Sequence, residues 1–301
     1  MAGHRSWDVT TGPGITALGL AAARTVESSR PDALIDDPFG AAFIRAVESP
    51  VAFPVRWPEP GAEVGDRDAL HLHGSRYIGV RSRFYDDVVL EAVGGGVRQV
   101  VLLAAGLDTR AFRLGWPPGV TVYELDQPQV VTFKDDVLDH AGASPACARV
   151  PVGADLREDW PAALTGAGFD ADAPAVWVAE GLLAYLPAEA EDQLLRRVDE
   201  HSAPGSRLAL DHIVQVDHLA ADRAPLDELS ERSGVQMRSL INTERRREPA
   251  EHLRAAGWSV GEEPVAAVAA RYGRDLSDPF GRQATPPWLD TRFLSAVLDR
   301  R

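Results

Sequence analysis

A glycine and a carboxylate stand twenty residues apart in this sequence, each at the end of an apolar run. Gly106 follows the run at residues 100–103, and Asp126 follows a second run at residues 120–125. Glycine lets the backbone turn with a positive φ angle and approach a ligand closely. A carboxylate at the tip of the next strand accepts hydrogen bonds from ribose hydroxyls. The spacing therefore predicts a site for a cofactor that contains a nucleoside.

Two classes of cofactor fit this spacing. A dinucleotide site needs G-x-G-x-x-G, whose second glycine lets a pyrophosphate rest on helix amides. Residues 104–109 read AAGLDT, with a single glycine and with Asp108 where a phosphate would lie. A carboxylate there repels phosphate and suits a cation, so the residues favour S-adenosylmethionine. An NAD(P)-linked oxidoreductase is the alternative.

Five short motifs, in order along the chain, resemble the leucine carboxyl methyltransferase-like family, in particular its actinobacterial branch of S-adenosylmethionine-dependent methyltransferases. They are RSRFYDD at 81–87, AAGLDTR at 104–110, ELDQP at 124–128, DLR at 155–157 and AEGLLAYL at 179–186. The resemblance runs from about residue 16 to the end of the sequence. It implies the class I S-adenosylmethionine-dependent methyltransferase fold, which is Rossmann-like.

The resemblance also implies roles for individual residues. Arg81 would bind the carboxylate of the cofactor's methionine part, which a guanidinium fork suits. Asp155 would accept from the adenine amino group while Leu156 packs on the ring, and Glu180 would contact the cofactor's amino end or the substrate. With the turn and the ribose carboxylate, the predicted cofactor residues are Arg81, Ala105, Gly106, Asp126, Asp155, Leu156 and Glu180.

Each of these residues also has an ordinary structural interpretation. Arg81 fits a salt bridge on a helix, Asp155 fits a helix N-cap before residues 156–158, and Glu180 fits a packing or capping role. No catalytic residue is identified, and the candidates are Glu180 and His212, which lies at the end of a predicted strand. His71 and His73 stand two residues apart, which is poor chelating geometry on a helix, so no metal site is predicted.

Strands and helices alternate from about residue 97 to residue 213. The pattern predicts an α/β fold with a mostly parallel seven-stranded sheet and helices on both faces. The predicted strands are 100–103, 120–125, 149–152, 175–179 and 207–213, followed by an antiparallel pair at 258–260 and 292–298. The predicted helices are 16–28, one starting at 36–39, 75–93, 128–141, 187–201, 225–241 and 249–256, with a loop at 272–287.

Residues 1–70 precede the first strand and are predicted to form an N-terminal helical cap over the cofactor. Residues 71–301 then form the Rossmann-like core, and cap and core make a single domain. No linker or internal repeat interrupts the alternating pattern.

The composition excludes several classes of protein. The net charge is −14, and the one basic run, Arg245 to Arg247, is flanked by glutamates and interpreted as a solvated helix face. Clustered cations that would neutralise phosphates are therefore missing, so nucleic acid is not an expected partner. No apolar run reaches the roughly 18–20 residues that span a bilayer, and no signal peptide is recognised. One cysteine excludes an internal disulfide, and a cytoplasmic location is expected.

The predicted activity is O-methylation of a small molecule, on a carboxylate or a hydroxyl group. A carboxylate acceptor is ionised at neutral pH and needs no general base, whereas a hydroxyl acceptor would need one, with His212 or His73 as candidates. The alternatives are a protein C-terminal carboxylate as the acceptor and a cofactor-binding protein without catalysis.

Overall fold

The computed structural model describes residues 9–214, 224–281 and 290–299. They contain a seven-stranded sheet at the centre of the molecule. In chain order, its strands are β1 Gln99–Leu103, β2 Thr121–Asp126, β3 Ala148–Gly153, β4 Ala175–Ala179, β5 Arg207–Ile213, β6 Ser259–Pro264 and β7 Thr291–Val297. Their order across the sheet is β3-β2-β1-β4-β5-β7-β6. The first five strands are parallel, and β7 runs antiparallel to both β5 and β6.

Helices cover both faces of this sheet. They are α1 Gly12–Ser28, α2 Gly40–Arg45, α3 Asp66–Gly94, α4 Arg110–Arg113, α5 Pro128–His140, α6 Trp160–Gly166, α7 Ala188–Glu200, α8 Ala224–Ser233, α9 Met237–Leu240, α10 Pro249–Ala255 and α11 Val265–Arg271. One face packs against α3 and α11, and the other against α6, α7 and α10. The predicted fold class is therefore confirmed. None of the described helices combines the length and the apolar character that crossing a bilayer requires.

The strands form because their side chains are buried on both faces. Every residue of β1 and of β4 is buried, as expected for the central strands of a parallel sheet covered by two helical layers. Parallel pairing sets Leu103 of β1 beside Leu125 of β2 and brings the carboxyl ends of the parallel strands to one edge. That edge is where ligands bind in open α/β sheets.

The N-terminal region packs on α3 and closes over this edge. Helix α1 crosses α3 where Gly79 faces Glu27, and a β-carbon at residue 79 would lie 2.5 Å from the Glu27 side chain. Helix α3 spans 29 residues, so the predicted boundary of the cap at residue 70 falls inside it. The first eight residues of the predicted cap lie outside the described residues.

Several predicted boundaries were wrong. Helix α3 begins at Asp66, nine residues before the predicted start, and burial of Ala69, Leu70 and Leu72 supports this added part while its first residues are exposed. The helix predicted at 225–241 is two helices, interrupted where Gly234 takes a φ of +77°. Strand β6 continues past residue 260 to Pro264, since pairing with β7 extends that far. The predicted loop is confirmed for residues 272–281, and its remainder lies outside the described residues.

Candidate functional site

The turn after β1 has the backbone conformation that the sequence predicted. Gly106 has a φ of +51°, and Ala104 has a φ of +53°, which a residue with a side chain rarely adopts. The Ala105 N–H donates to the Leu125 carbonyl at 2.9 Å, which holds the turn against the end of β2. Two left-handed residues within three positions bring the backbone of this turn to the edge of the sheet.

Asp126 lies at the end of β2, beside that turn. Its Oδ2 atom accepts a hydrogen bond from the Gly106 N–H at 2.7 Å, and its Oδ1 atom accepts from the Gln127 N–H at 2.7 Å. Burial raises the pKa of the Asp126 carboxyl, while the two N–H groups oppose that shift. The glycine and the carboxylate that first pointed to a cofactor are therefore in direct contact.

Glu180 follows β4 and lies between two arginines. Its Oε1 atom is 2.9 Å from Arg81 Nε, and its Oε2 atom is 2.7 Å from Arg110 Nη2. Burial alone would raise the pKa of Glu180, but the charges of Arg110 and Arg81 outweigh it and lower the pKa to about 2. Glu180 is therefore ionised at neutral pH and is a poor proton acceptor.

Arg110 connects Glu180 to a wider ionic network. Its Nε atom lies 2.7 Å from Asp86 Oδ1, and it also pairs with Asp108. Arg113 binds the second oxygen of Asp86 at 2.6 Å. Asp108 was interpreted from the sequence as facing a cationic ligand. Its carboxylate instead pairs with Arg110, which corrects that interpretation. The sequence analysis missed Arg110, although it lies inside the AAGLDTR motif.

Asp211 is another site residue that was not predicted, and its carboxylate supports the loop after β4. Its Oδ1 atom accepts from the Tyr85 hydroxyl at 2.5 Å and from the Gly181 N–H at 2.7 Å. Gly181 has a φ of +62°, and a β-carbon there would lie 2.9 Å from Arg81 Nη1. Glycine at this position therefore lets the Arg81 guanidinium lie against the backbone.

Asp155 and Leu156 follow β3. The Asp155 carboxylate binds the side chain of Arg157, with Oδ1 2.9 Å from Nε, and it also accepts the Arg157 N–H. This bonding lowers the pKa of Asp155. The helix N-cap interpretation was wrong, because the next helix, α6, begins only at Trp160.

His212 lies on β5 next to Asp211 in sequence, and both of its ring nitrogens face carboxylates. Nε2 is 3.2 Å from Glu262 Oε1, and Nδ1 is 3.4 Å from Glu248 Oε2. The other two candidate histidines have separate environments on α3. His73 Nε2 lies 2.9 Å from the Leu276 carbonyl, and the His71 ring packs edge-on against Phe53.

The basic run lies in the loop between α9 and α10, not on the helix face predicted for it. Arg246 binds Glu191 at 2.7 Å and the carbonyl of Leu183 at 2.9 Å. Arg245 and Arg247 are exposed. The prediction of a solvated helix face was therefore wrong in two respects: the run is not helical, and Arg246 is bound to other residues.

A cavity of about 900 Å³ opens at the carboxyl edge of the sheet. The structure brings every residue of the predicted cofactor set to its walls: Arg81, Ala105, Gly106, Asp126, Asp155, Leu156 and Glu180. Its volume is within the range of small-molecule and cofactor sites, roughly 300–1,000 Å³.

A second cavity of about 240 Å³ adjoins the first. It lies between α1, α3 and α8, and most of its walls are aliphatic or aromatic. The two cavities share Arg81, Gly181 and Tyr185, so these residues form the junction between them. His212 lines this smaller cavity and does not line the larger one.

Known proteins that resemble this chain are methyltransferases by name. Residues 17–199 match the leucine carboxyl methyltransferase family. A Saccharopolyspora erythraea protein, named as a candidate S-adenosyl-L-methionine-dependent methyltransferase, is 45% identical over 92% of this chain and 94% of its own length. A protein of the same name from Mycolicibacterium gilvum is 44% identical over 97% of this chain and 96% of its own length.

The fold also has a counterpart among solved structures. The crystal structure of a candidate methyltransferase from Thermobifida fusca superposes with a TM-score of 0.50 at 19% identity. The match covers 77% of this chain and 84% of that chain. At this level of identity the likeness shows a common fold and nothing finer.

Proposed function

We propose that this chain, which belongs to the leucine carboxyl methyltransferase family, methylates a carboxylate oxygen of a small molecule. The chain is an S-adenosyl-L-methionine-dependent methyltransferase, and S-adenosyl-L-methionine is its cofactor. The oxidoreductase alternative is set aside, because the family and the relatives are methyltransferases. The nature of the acceptor and the roles of single residues form the proposal.

The larger cavity has groups that suit the cofactor. Arg81 and Glu180, bound to each other, present a positive and a negative group side by side, as the zwitterionic end of an amino acid requires. Asp126 would accept from the ribose hydroxyls, beside the backbone of Ala105 and Gly106. At the adenine end of the cofactor, Asp155 would accept from the amino group and Leu156 would pack on the ring. When bound, the cofactor supplies a methyl group on a cationic sulfur.

The observation that carries the proposal concerns two acids near the junction of the cavities, Glu180 and Asp211, and whether either can accept a proton. Glu180 has a pKa of about 2, and Asp211 already accepts two hydrogen bonds from the protein. Glu180 is therefore a poor base, Asp211 could act as one only by giving up these two bonds, and a carboxylate acceptor needs no base because it is ionised at neutral pH. The protein then has two tasks, to align the acceptor with the methyl group and to exclude water, which in favourable cases supply roughly 7–11 kcal/mol.

Methyl transfer to a carboxylate can be tested directly through the stability of the product. The purified protein is incubated with methyl-labelled S-adenosyl-L-methionine and a panel of carboxylic acids and phenols. We expect labelled product from acids, and we expect mild alkali to release it as volatile methanol, because esters hydrolyse and ethers do not. An alkali-stable product would contradict carboxylate methylation. The same assay checks the alternative of a cofactor-binding protein without turnover, which would give no product.

A hydroxyl acceptor is the second candidate, and the buried Asp211 is the observation that favours it. Burial raises the pKa of the Asp211 carboxyl, which brings it closer to that of a useful base. His212 lines the same cavity. A hydroxyl reaction would accelerate as its base loses a proton, whereas carboxylate methylation should be independent of pH from about 6 to 8. The pH profile of the turnover number separates the two.

A protein C-terminal carboxylate is the alternative acceptor suggested by the family's name. Peptides with a free C-terminal leucine and the same peptides with an amidated C-terminus form a matched pair. Labelling of the free peptides alone, at rates above those for small acids, would favour this alternative over the small-molecule proposal.

A further inference from the structure

The smaller cavity is apolar along most of its length and has a single cation. Helix α1 contributes small residues to its wall, Gly19, Ala22 and Ala23, and helix α8 contributes Leu226 and Leu229. Among the described residues that line it, Arg81 is the sole arginine or lysine, and it lies at the junction with the larger cavity. The cavity therefore has an apolar body, and its charged side chains, Arg81 and Asp211, both lie beside Gly181 at the junction.

We propose that this cavity holds the body of the methyl acceptor, and that the acceptor is a small lipophilic monocarboxylate. The inference rests on the proposed carboxylate methylation and goes further by naming the class of acid. The carboxylate would lie at the junction, where the cofactor's cationic sulfur would be its main counter-charge, because Glu180 and the cofactor's own carboxylate share the Arg81 guanidinium. The hydrocarbon part would extend between α1 and α3.

Continuity of the two cavities supports this orientation. Seven residues line both: Ile15, Thr16, Leu20, Arg81, Gly181, Tyr185 and Val235. The Tyr185 hydroxyl donates to Thr16 Oγ1 at 3.3 Å, which connects two of the polar side chains of the junction. An acceptor with its apolar part in the smaller cavity would thus have its reacting end at the opening to the larger one.

Small residues on α1 create the space in this cavity. A β-carbon at Gly19 would lie 3.2 Å from the Phe53 ring, which is itself part of the wall. Larger side chains at Gly19 or Ala23 would therefore fill the cavity. Its volume of about 240 Å³ is slightly below the roughly 300 Å³ at which drug-sized pockets begin, so it suits a compact ligand.

The remaining titratable residues of the wall do not favour a second charge on the acceptor. Burial lowers the pKa of His71, so its ring is neutral at pH 7. The Asp211 carboxylate already accepts hydrogen bonds from Tyr85 and Gly181, and His212 already faces two glutamates. A second carboxylate far from Arg81 would be buried without a cation, which is costly.

Binding of straight-chain acids tests the proposal without relying on turnover. Butyrate, hexanoate, octanoate and decanoate are titrated calorimetrically into the full chain saturated with S-adenosylhomocysteine. Each added methylene that enters the cavity should tighten binding about fourfold, until the cavity is full at medium chain length. Octanedioate, of the same length as octanoate with a second charge, should bind at least about 30-fold more weakly. Affinity that does not depend on chain length would overturn the proposal.

Two variants locate the binding site. Ala23→Leu should weaken octanoate binding at least tenfold and leave the dissociation constant of S-adenosylhomocysteine unchanged. Ala163→Leu is the matched control, because Ala163 is also a half-buried helical alanine but packs against the opposite face of the sheet. If Ala23→Leu does not fold, Gly19→Ala narrows the same cavity with a smaller change. Unchanged octanoate binding in a folded variant would contradict the site.

Failure of this inference differs from failure of the proposed function. Octanoate that binds with the expected dependence on chain length, but yields no alkali-labile methyl group, would preserve the pocket and contradict carboxylate methylation. Methyl esters formed only from polar acids, with no effect of Ala23→Leu, would preserve the methylation and contradict the pocket.

Discussion

Asp126 is the residue whose assignment is most directly testable. Its carboxylate orders the Gly106 turn and, under the proposed function, binds the ribose. Asp126→Ala should weaken S-adenosylhomocysteine binding by about 1–3 kcal/mol, the cost of losing a charge-assisted hydrogen-bonding partner. Calorimetric titration measures the change, and Asp126→Asn, which keeps the shape and removes the charge, is the matched variant. An unchanged dissociation constant in both would contradict the assignment.

Glu180 is the carboxylate that balances the buried charges of Arg81 and Arg110. Glu180→Gln leaves Arg81 and Arg110 without their shared carboxylate, and breaking a buried ion pair from one side costs about 3–5 kcal/mol. Urea unfolding should show this loss. Glu263→Gln, which breaks the exposed pair with Arg271, is the control and should cost about 0–1 kcal/mol. Equal losses in the two variants would contradict the importance of the buried network.

The sequence predicted the site residues that lie near one another in motifs, and it missed the contacts between distant segments. Arg110 and Asp211 are both in regions that the sequence analysis considered. Important partners of these residues, however, lie far from them along the chain: Tyr85 and Asp211 are 126 residues apart. Residue type and local spacing carry no information about such pairs, because only the folded sheet brings them together.

At the scale of elements, burial decided which predictions succeeded. Strands β4 and β5 have the bounds that the sequence predicted. The continuous apolar run of β4 is a strong signal for a strand buried on both faces, and β5 has a shorter apolar run, Leu208 to Leu210, at its centre. The first turns of α3 and the end of β6 were missed for the opposite reason. The residues at these ends are mostly polar and exposed or half-buried, so no apolar pattern marks them, and β6 extends only because it pairs with β7.

The crossing of α1 and α3 depends on Gly79. A β-carbon there would come within 2.5 Å of Glu27, which is also bound to Arg274 at 2.6 Å. Gly79→Ala should therefore lower the free energy of unfolding by about 1–3 kcal/mol, through overpacking between the two helices. Thermal or urea unfolding measures it.

The control for this prediction lies on the same helix. A β-carbon at Gly94, the last residue of α3, would meet no atom within 4 Å. Gly94→Ala should leave stability unchanged or raise it by up to about 0.5–1 kcal/mol, since alanine loses less backbone entropy in a helix. Gly79→Ala that is as stable as Gly94→Ala would mean that α1 does not pack on α3 in this way.

At the scale of the whole molecule, the acids divide into two groups with opposite effects on stability. Burial raises the pKa of Glu27, Asp126 and Asp211 above the ordinary values of 4.5 and 3.8. The folded chain therefore holds these protons at a pH where the unfolded chain has lost them, and their contribution to stability grows as the pH falls from neutral toward the ordinary values, while the lowered pKa of His71 opposes this gain. The net charge of −14 adds to this trend, because protonation reduces repulsion.

Below that range the second group dominates. The pKa of Glu180 is lowered from 4.5 to about 2, so its contribution to stability is complete above pH 4.5 and is lost as the pH falls toward 2. We expect urea midpoints to rise on mild acidification from pH 7, as the acids with raised pKa values take up protons, and to fall again below pH 4.5, as Glu180 does. Glu180→Gln should flatten the acidic side of this profile. A steady fall from pH 7 downward would contradict the balance of raised and lowered pKa values.

The place of β7 in the sheet affects how the chain can fold while it is being synthesised. The five parallel strands can pair as each one emerges from the ribosome, because every partner has already been made or follows shortly. Strand β6 cannot, since its one described neighbour is β7, which comes after it in the chain. At about 5–20 residues per second, β6 waits for a period on the order of seconds. Two glutamates and a proline, Glu262, Glu263 and Pro264, keep this unpaired edge strand from presenting an apolar surface to other nascent chains.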